Sequence, residues 1–161
     1  MADSLPPCGL YRTVRPIAGV DAGRLVYFHN HGDPGPGLYF PERWHHNRAQ
    51  WTPNGTTVTL PLDAKALLPL PAEGFYRVVR TFMCCAKNCV EFKPEQLLQL
   101  GYTGAGKPLV FVPEFSSGAI TVPERGTAID DDALKHLVAL LVNERRESRD
   151  AISFPRGIIV H

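Results

Sequence analysis

The sequence predicts an α+β protein that is mainly β. It would be a small twisted β-barrel or two duplicated hairpin units, with one C-terminal amphipathic helix. Three observations predict this. Fifteen prolines and 14 glycines are spread through 161 residues rather than pooled. They punctuate short apolar runs at intervals of roughly 8–12 residues, the spacing of strands joined by turns. The runs themselves are rich in β-branched and aromatic residues, and only one long stretch has helical periodicity.

In chain order, Leu25-Val26-Tyr27-Phe28 reads as a strand that stops in the loop Gly32-Asp33-Pro34-Gly35-Pro36-Gly37. Leu38-Tyr39-Phe40 resumes strand character, and Thr56 to Leu60 is a β-branched strand ended by Pro61. Asp63 to Leu68, stopped by Pro69, reads as a short helix. Phe75 to Cys85 is the longest strand. Ala86-Lys87-Asn88 would be its three-residue hairpin loop, with Asn88 in the left-handed position, and Cys89 to Phe92 the return strand. Pro94 to Leu100, stopped by Gly101, has the early proline and late glycine of a short helical turn. Leu109 to Val112 and Ala119 to Val122 are further strands, and Ile158 to Val160 would close the sheet. The helix runs from Asp130-Asp131-Asp132, which suit its cap and dipole, to Arg145-Arg146. Leu134, Leu137, Val138, Leu141 and Val142 would form its buried stripe.

An internal echo joins Leu25–Phe28, Leu38–Phe40 and Pro41-Glu42-Arg43 to Leu109–Val112, Ile120–Val122 and Pro123-Glu124-Arg125. It suggests duplicated SH3-like halves at 10–70 and 71–161 within one compact domain, 10–161. Residues 1–9 are expected to fray.

Lys+Arg number 17 and Asp+Glu 16, for a net charge of +1. That balance makes no electrostatic case for nucleic acid or a membrane surface. The N-terminus has neither the basic nor the apolar region of a secretory signal, so the expected location is cytoplasmic and the four cysteines are expected reduced.

Three clusters carry chemistry. Cys84, Cys85 and Cys89 put three thiols in six residues, and Cys85 and Cys89 flank the turn at metal-ligand spacing. A second pair of ligands is not supplied locally. Small hydrophobic packing and thiol redox chemistry are the other readings of the same residues. His29 and His31, at i and i+2, place two imidazoles on one side of an extended chain, half of a metal site. Tyr39, Arg43, Trp44, Arg48 and Trp51 interleave aromatic rings with arginines. That is the composition of a protein-binding hot spot, of a single-stranded nucleic-acid platform, or of core packing at a barrel end.

Gly23, five residues, then His29-Asn30-His31 resembles the opening of the cupin motif, Gly-x5-His-x-His. The resemblance covers nine residues and implies a β-barrel with a metal on His29 and His31. Gly35 and Pro36 stand where that family carries its glutamate.

Catalytic signatures are otherwise unmet. Gly101 and Gly106-Lys107 have phosphate-loop spacing, but Pro108 replaces the hydroxyl residue. The sequence therefore reads first as a non-enzymatic binding or adaptor module with a protein or peptide partner at the aromatic and arginine surface, and no cofactor. Two further readings stand beside it. One is a metal protein, with structural zinc at the cysteines or a cupin-like site at the histidines. The other is a single-stranded nucleic-acid binder.

Overall fold

The structure is a computed structural model and describes residues 5–32 and 35–145. The first half of the chain contributes β1 (Gly9–Thr13), β2 (Leu25–His29), β3 (Gly37–Tyr39), β4 (Pro41–His45), β5 (Arg48–Trp51), β6 (Thr56–Thr57) and β7 (Leu67–Pro69). The second contributes β8 (Gly74–Val78), β9 (Phe82–Met83), β10 (Glu91–Phe92), β11 (Leu97–Tyr102), β12 (Pro108–Phe111), β13 (Glu114–Ser116), β14 (Ala119–Thr121), β15 (Thr127–Ala128) and β16 (Leu137–Ala139). They form two five-stranded antiparallel sheets, ordered β6-β3-β2-β1-β7 and β15-β12-β11-β8-β16, and three two-stranded ribbons, β4-β5, β9-β10 and β13-β14.

The two large sheets repeat one another position by position. Tyr11 stands opposite Val26 and Pro69, and Tyr76 opposite Leu98 and Ala139. Phe28 faces Leu38, which faces Thr56, and Leu100 faces Val110, which faces Thr127. The phenol of Tyr11 donates to the Pro7 carbonyl at 2.7 Å, and that of Tyr76 to Ala72 at 2.6 Å. Each last strand follows a 3-10 turn, Ala64–Ala66 in one half and Asp131–His136 in the other. A ribbon with a two-residue turn at positive φ interrupts each sheet between its third and fourth strands: His46-Asn47 in one, Ser117-Gly118 in the other. The sequence carries this repeat as Gly9-Leu10-Tyr11-Arg12-Thr13-Val14-Arg15 and Gly74-Phe75-Tyr76-Arg77-Val78-Val79-Arg80. Register pairs Pro41-Glu42 with Pro113-Glu114, so the echo expected from Pro123-Glu124-Arg125 is out of phase.

Side-chain alternation along β1 and β2 buries both faces of the first sheet. Tyr11, Val26 and Phe28 enter its own core with Leu38 and Leu67. Leu10 and Leu25 turn the other way, into the core of Tyr76, Val78, Leu98, Leu100 and Val110. The continuous apolar run Leu25–Phe28 is thus a strand packed on two sides.

Several expectations are corrected. Among the described residues neither sheet closes into a barrel: short edge strands β6 and β7, and β15 and β16, end each sheet without pairing to one another. The barrel implied by the cupin resemblance is likewise not formed. The C-terminal amphipathic helix is replaced by the 3-10 turn and β16, in which Val138 lies opposite Arg77. The edge of β8 offers a ladder to this segment, and that tertiary pairing overrides its helical periodicity. Leu141 and Val142, placed in the buried stripe, are exposed. Pro94 to Leu100 is not a helical turn, because Leu97–Tyr102 is a central strand. The short helix at Asp63 shrinks to three residues capped by the Asp63 carboxylate. Asn88 does adopt positive φ, 52°. Ile158–Val160 lies outside the described residues. Within the segment expected to fray, residues 1–9, the Pro6 and Pro7 carbonyls accept from Asn30 and Tyr11.

Candidate functional site

In β1-β2, Gly9 stands opposite Phe28, so the next residue outward, Cys8, falls opposite His29. Antiparallel neighbours put their side chains on one face, and His31 shares that face by the two-residue period. The result is a compact donor set. Cys8 Sγ lies 3.6 Å from His29 Nδ1 and 3.7 Å from His31 Nδ1, and the ligand atoms of all three residues lie within 4.8 Å of one another. The two imidazole rings are 4.1 Å apart. The Asn30 backbone N–H donates to the sulfur at 3.3 Å, and the Asn30 amide oxygen lies 3.2 Å from it and 2.7 Å from His31 Nδ1.

His29 is buried, and its Nε2 has no hydrogen-bond partner among the described residues. Burial first, then the neighbouring His31, push its pKa below the usual histidine range. At pH 7 the ring is therefore neutral, the form that can donate a lone pair. Gly32 lies against this ring: a Cβ there would stand 3.3 Å from its carbon edge.

The second cluster follows β9. The Asn88 N–H returns to the Cys85 carbonyl at 2.9 Å and turns the chain, so that Cys84, Cys85 and Cys89 converge within 4.8 Å. All four cysteines are free thiols. Cys8 thus joins the histidines and not the other three cysteines. The sequence reading singled out His29 and His31 without it. The available signal was the β1-β2 hairpin, whose register sets Cys8 across from His29.

The aromatic and arginine cluster is divided by the fold. Tyr39 is buried, and Trp51 packs half-buried against Tyr27 with ring centres 5.8 Å apart. Arg43 and Arg48 are exposed. Trp44 is 43% exposed, and its indole N–H donates to the Tyr102 carbonyl at 3.0 Å. The β4-β5 ribbon is accordingly a clamp between the halves. Asn47 donates to Gln99 and to the Pro123 carbonyl, and Gln99 donates back to the His46 carbonyl. A cleft of about 770 Å³ beside the ribbon is lined by Trp44, Arg48, Phe75 and Glu124.

Glu73, which sequence reasoning passed over, supports the same clamp. Its carboxylate accepts the Ala49 N–H at 3.0 Å, and burial raises its pKa to about 7, opposed by that hydrogen bond and by Arg48. Arg12 reaches from the first sheet to the second, making a two-pronged contact with Asp131 and donating to the Gly106 carbonyl at 3.2 Å.

No described helix is long and apolar enough to cross a membrane. Compared with protein-family models, curated proteins and solved structures, the chain matches none.

Proposed function

We propose that this chain is a metal-binding β module in which Cys8, His29 and His31 hold one divalent transition-metal ion. The spacing of the donors carries the reading. Bonds of about 2.3 Å to sulfur and about 2.0 Å to nitrogen, at a tetrahedral angle, set a sulfur–nitrogen edge of roughly 3.5 Å. The two edges here measure 3.6 and 3.7 Å. A thiol has one proton, yet two imidazole nitrogens and an amide oxygen converge on Cys8. With both imidazoles in the tautomer that carries its proton on Nε2, a cation would take the sulfur and the two Nδ1 lone pairs together, and the Asn30 N–H would steady the thiolate. One sulfur and two nitrogens suit zinc, with cobalt(II) as its spectroscopic substitute. Cys8 and His31 reach the surface, which leaves a fourth position for solvent or a small ligand.

Each large sheet, with a 3-10 turn leading into a last strand that returns beside the first, is read here as an SH3-like unit. The matched registers support a duplicated origin for the two.

Cobalt(II) titration tests the site. A thiolate-to-cobalt charge-transfer band and tetrahedral ligand-field bands should saturate at one equivalent. Cys8→Ser should remove the first, and His31→Ala should weaken binding by more than the roughly 10–100-fold that loss of an outer-shell partner costs. An unperturbed octahedral cobalt spectrum would overturn the reading.

A second reading, a module that binds a protein or peptide, is favoured by the cleft beside Trp44 and Arg48. Arg48→Ala should then abolish capture of a partner while leaving the Tm within a few degrees. Retention of an identified partner by that variant counts against it.

A further inference from the structure

We propose a second and chemically different ion site: Cys84, Cys85 and Cys89 bind one soft, thiophilic cation of the copper(I) class through three thiolates. Adjacent residues in a strand point to opposite faces, so Cys84 and Cys85 would ordinarily diverge. Here β9 ends at Met83, and the turn closed by Asn88 folds the chain back, leaving the Cys84 and Cys85 sulfurs 3.5 Å apart. All three sulfurs lie within 4.8 Å of one another, a triangle that metal–sulfur bonds of about 2.3 Å can span.

The triad is held before any ion arrives. The Cys84 N–H donates to the Val90 carbonyl at 2.9 Å, and the Cys84 carbonyl accepts from Asp130 at 3.1 Å. The Val90 N–H points at the Cys84 sulfur, 3.3 Å away. Burial is graded: Cys84 buried, Cys85 intermediate, Cys89 exposed. An ion can therefore enter at Cys89 and be held at Cys84.

The donor type chooses the ion. Both clusters gather three ligands, but here all three are sulfur, and three soft thiolates fit a trigonal copper(I) ion. The ligand set differs from the sulfur and two nitrogens at Cys8, so the two sites should sort ions by softness. Binding is a simple exchange, with the thiol protons released as the ion enters and no change of oxidation state.

The test uses the full chain carrying Cys8→Ser, which disables the first site, so failure here is separable from failure there. Under anaerobic conditions the protein is titrated into the copper(I)–bicinchoninate complex, and loss of its colour is followed. The expected result is one copper(I) withdrawn per chain, with zinc(II) in tenfold excess failing to displace it. Cys89→Ser, at an exposed position, should lower the affinity by more than the roughly 10–100-fold that loss of an outer-shell partner costs. Cys85→Ser should do the same. No withdrawal of copper(I), or withdrawal undiminished in both serine variants, overturns the proposal.

Discussion

His29 and Gly101 hold the same place in the two sheets. His29 stands opposite Gly37 across β2-β3, and Gly101 stands opposite Leu109 across β11-β12. In the first sheet that place carries His29, a proposed metal ligand. In the second it is bare, and the turn of the β4-β5 ribbon fills the space: a Cβ on Gly101 would lie 2.8 Å from the Asn47 carbonyl oxygen. One position thus holds the buried His29 ring in one half and lets the ribbon dock in the other.

Gly101→Ala should therefore push the ribbon away. The backbone carbonyl cannot yield as a flexible side chain would, so the expected loss is about 1–3 kcal/mol in urea unfolding. Trp44 emission should shift to the red as its bond to Tyr102 loosens. Stability within about 0.5 kcal/mol of the parent would show that the contact is not tight.

Glu73 makes stability depend on pH. Its folded pKa of about 7 lies above the unfolded value of 4.5, so the folded state binds more protons between those limits. Stability should be greatest below pH 4.5 as far as this group is concerned, fall as pH rises toward 7, and level off above. The full effect is about 3 kcal/mol as an upper bound, at 1.36 kcal/mol per unit. Glu73→Gln keeps an acceptor for Ala49 without the charge. It should raise stability at pH 8 and flatten the profile between pH 5 and 7. A variant less stable than the parent at pH 8 would contradict this account.

Arg12 and Arg77 occupy equivalent positions but should differ in weight. Arg77 pairs with an exposed Glu95 at 2.8 Å, and Arg77→Ala should change stability by at most about 0.5 kcal/mol. Arg12 is 18% exposed, packs its stem against Gly106 and bonds its carbonyl as well as Asp131. Arg12→Ala should remove about 1–2 kcal/mol, mostly as lost packing and the Gly106 bond, because solvent screens half-exposed Asp131. Equal effects of the two changes in thermal unfolding would show that Arg12 does not join the halves.

The two histidines should separate binding from folding. His31 is exposed, so His31→Gln should weaken metal binding while moving the Tm by less than about 2 °C. His29 is buried against Gly32, and His29→Ala should lose both the ion and stability. A His31→Gln variant that binds zinc as the parent does would remove that residue from the ligand set.

Local pattern exposed the strands and left their pairing hidden. Leu25–Phe28 and Leu109–Phe111 were legible because apolar β-branched and aromatic runs bounded by Gly and Pro have little else to be. Leu137–Ala139 was not, because its leucine and valine also fit a helical stripe, and only the waiting edge of β8 decides between the two. The histidine pair was legible from its spacing, whereas its third donor sits 21 residues earlier and is delivered by strand register. Tyr39 and Trp51 stand among arginines, a composition that fits a binding surface or core packing alike; the pleat turns Tyr39 into the interior and leaves Trp51 half-buried against Tyr27, with Arg43 and Arg48 outside.

Cys8, His29 and His31 are proposed to hold one divalent ion together. Native mass spectrometry of untagged protein, supplied with one equivalent of zinc, tests it most directly when run beside Cys8→Ser and His29→Ala. The account predicts a parent carrying one zinc and two variants free of it. A parent that stays metal-free, or variants that retain zinc at the parent's occupancy, would contradict it.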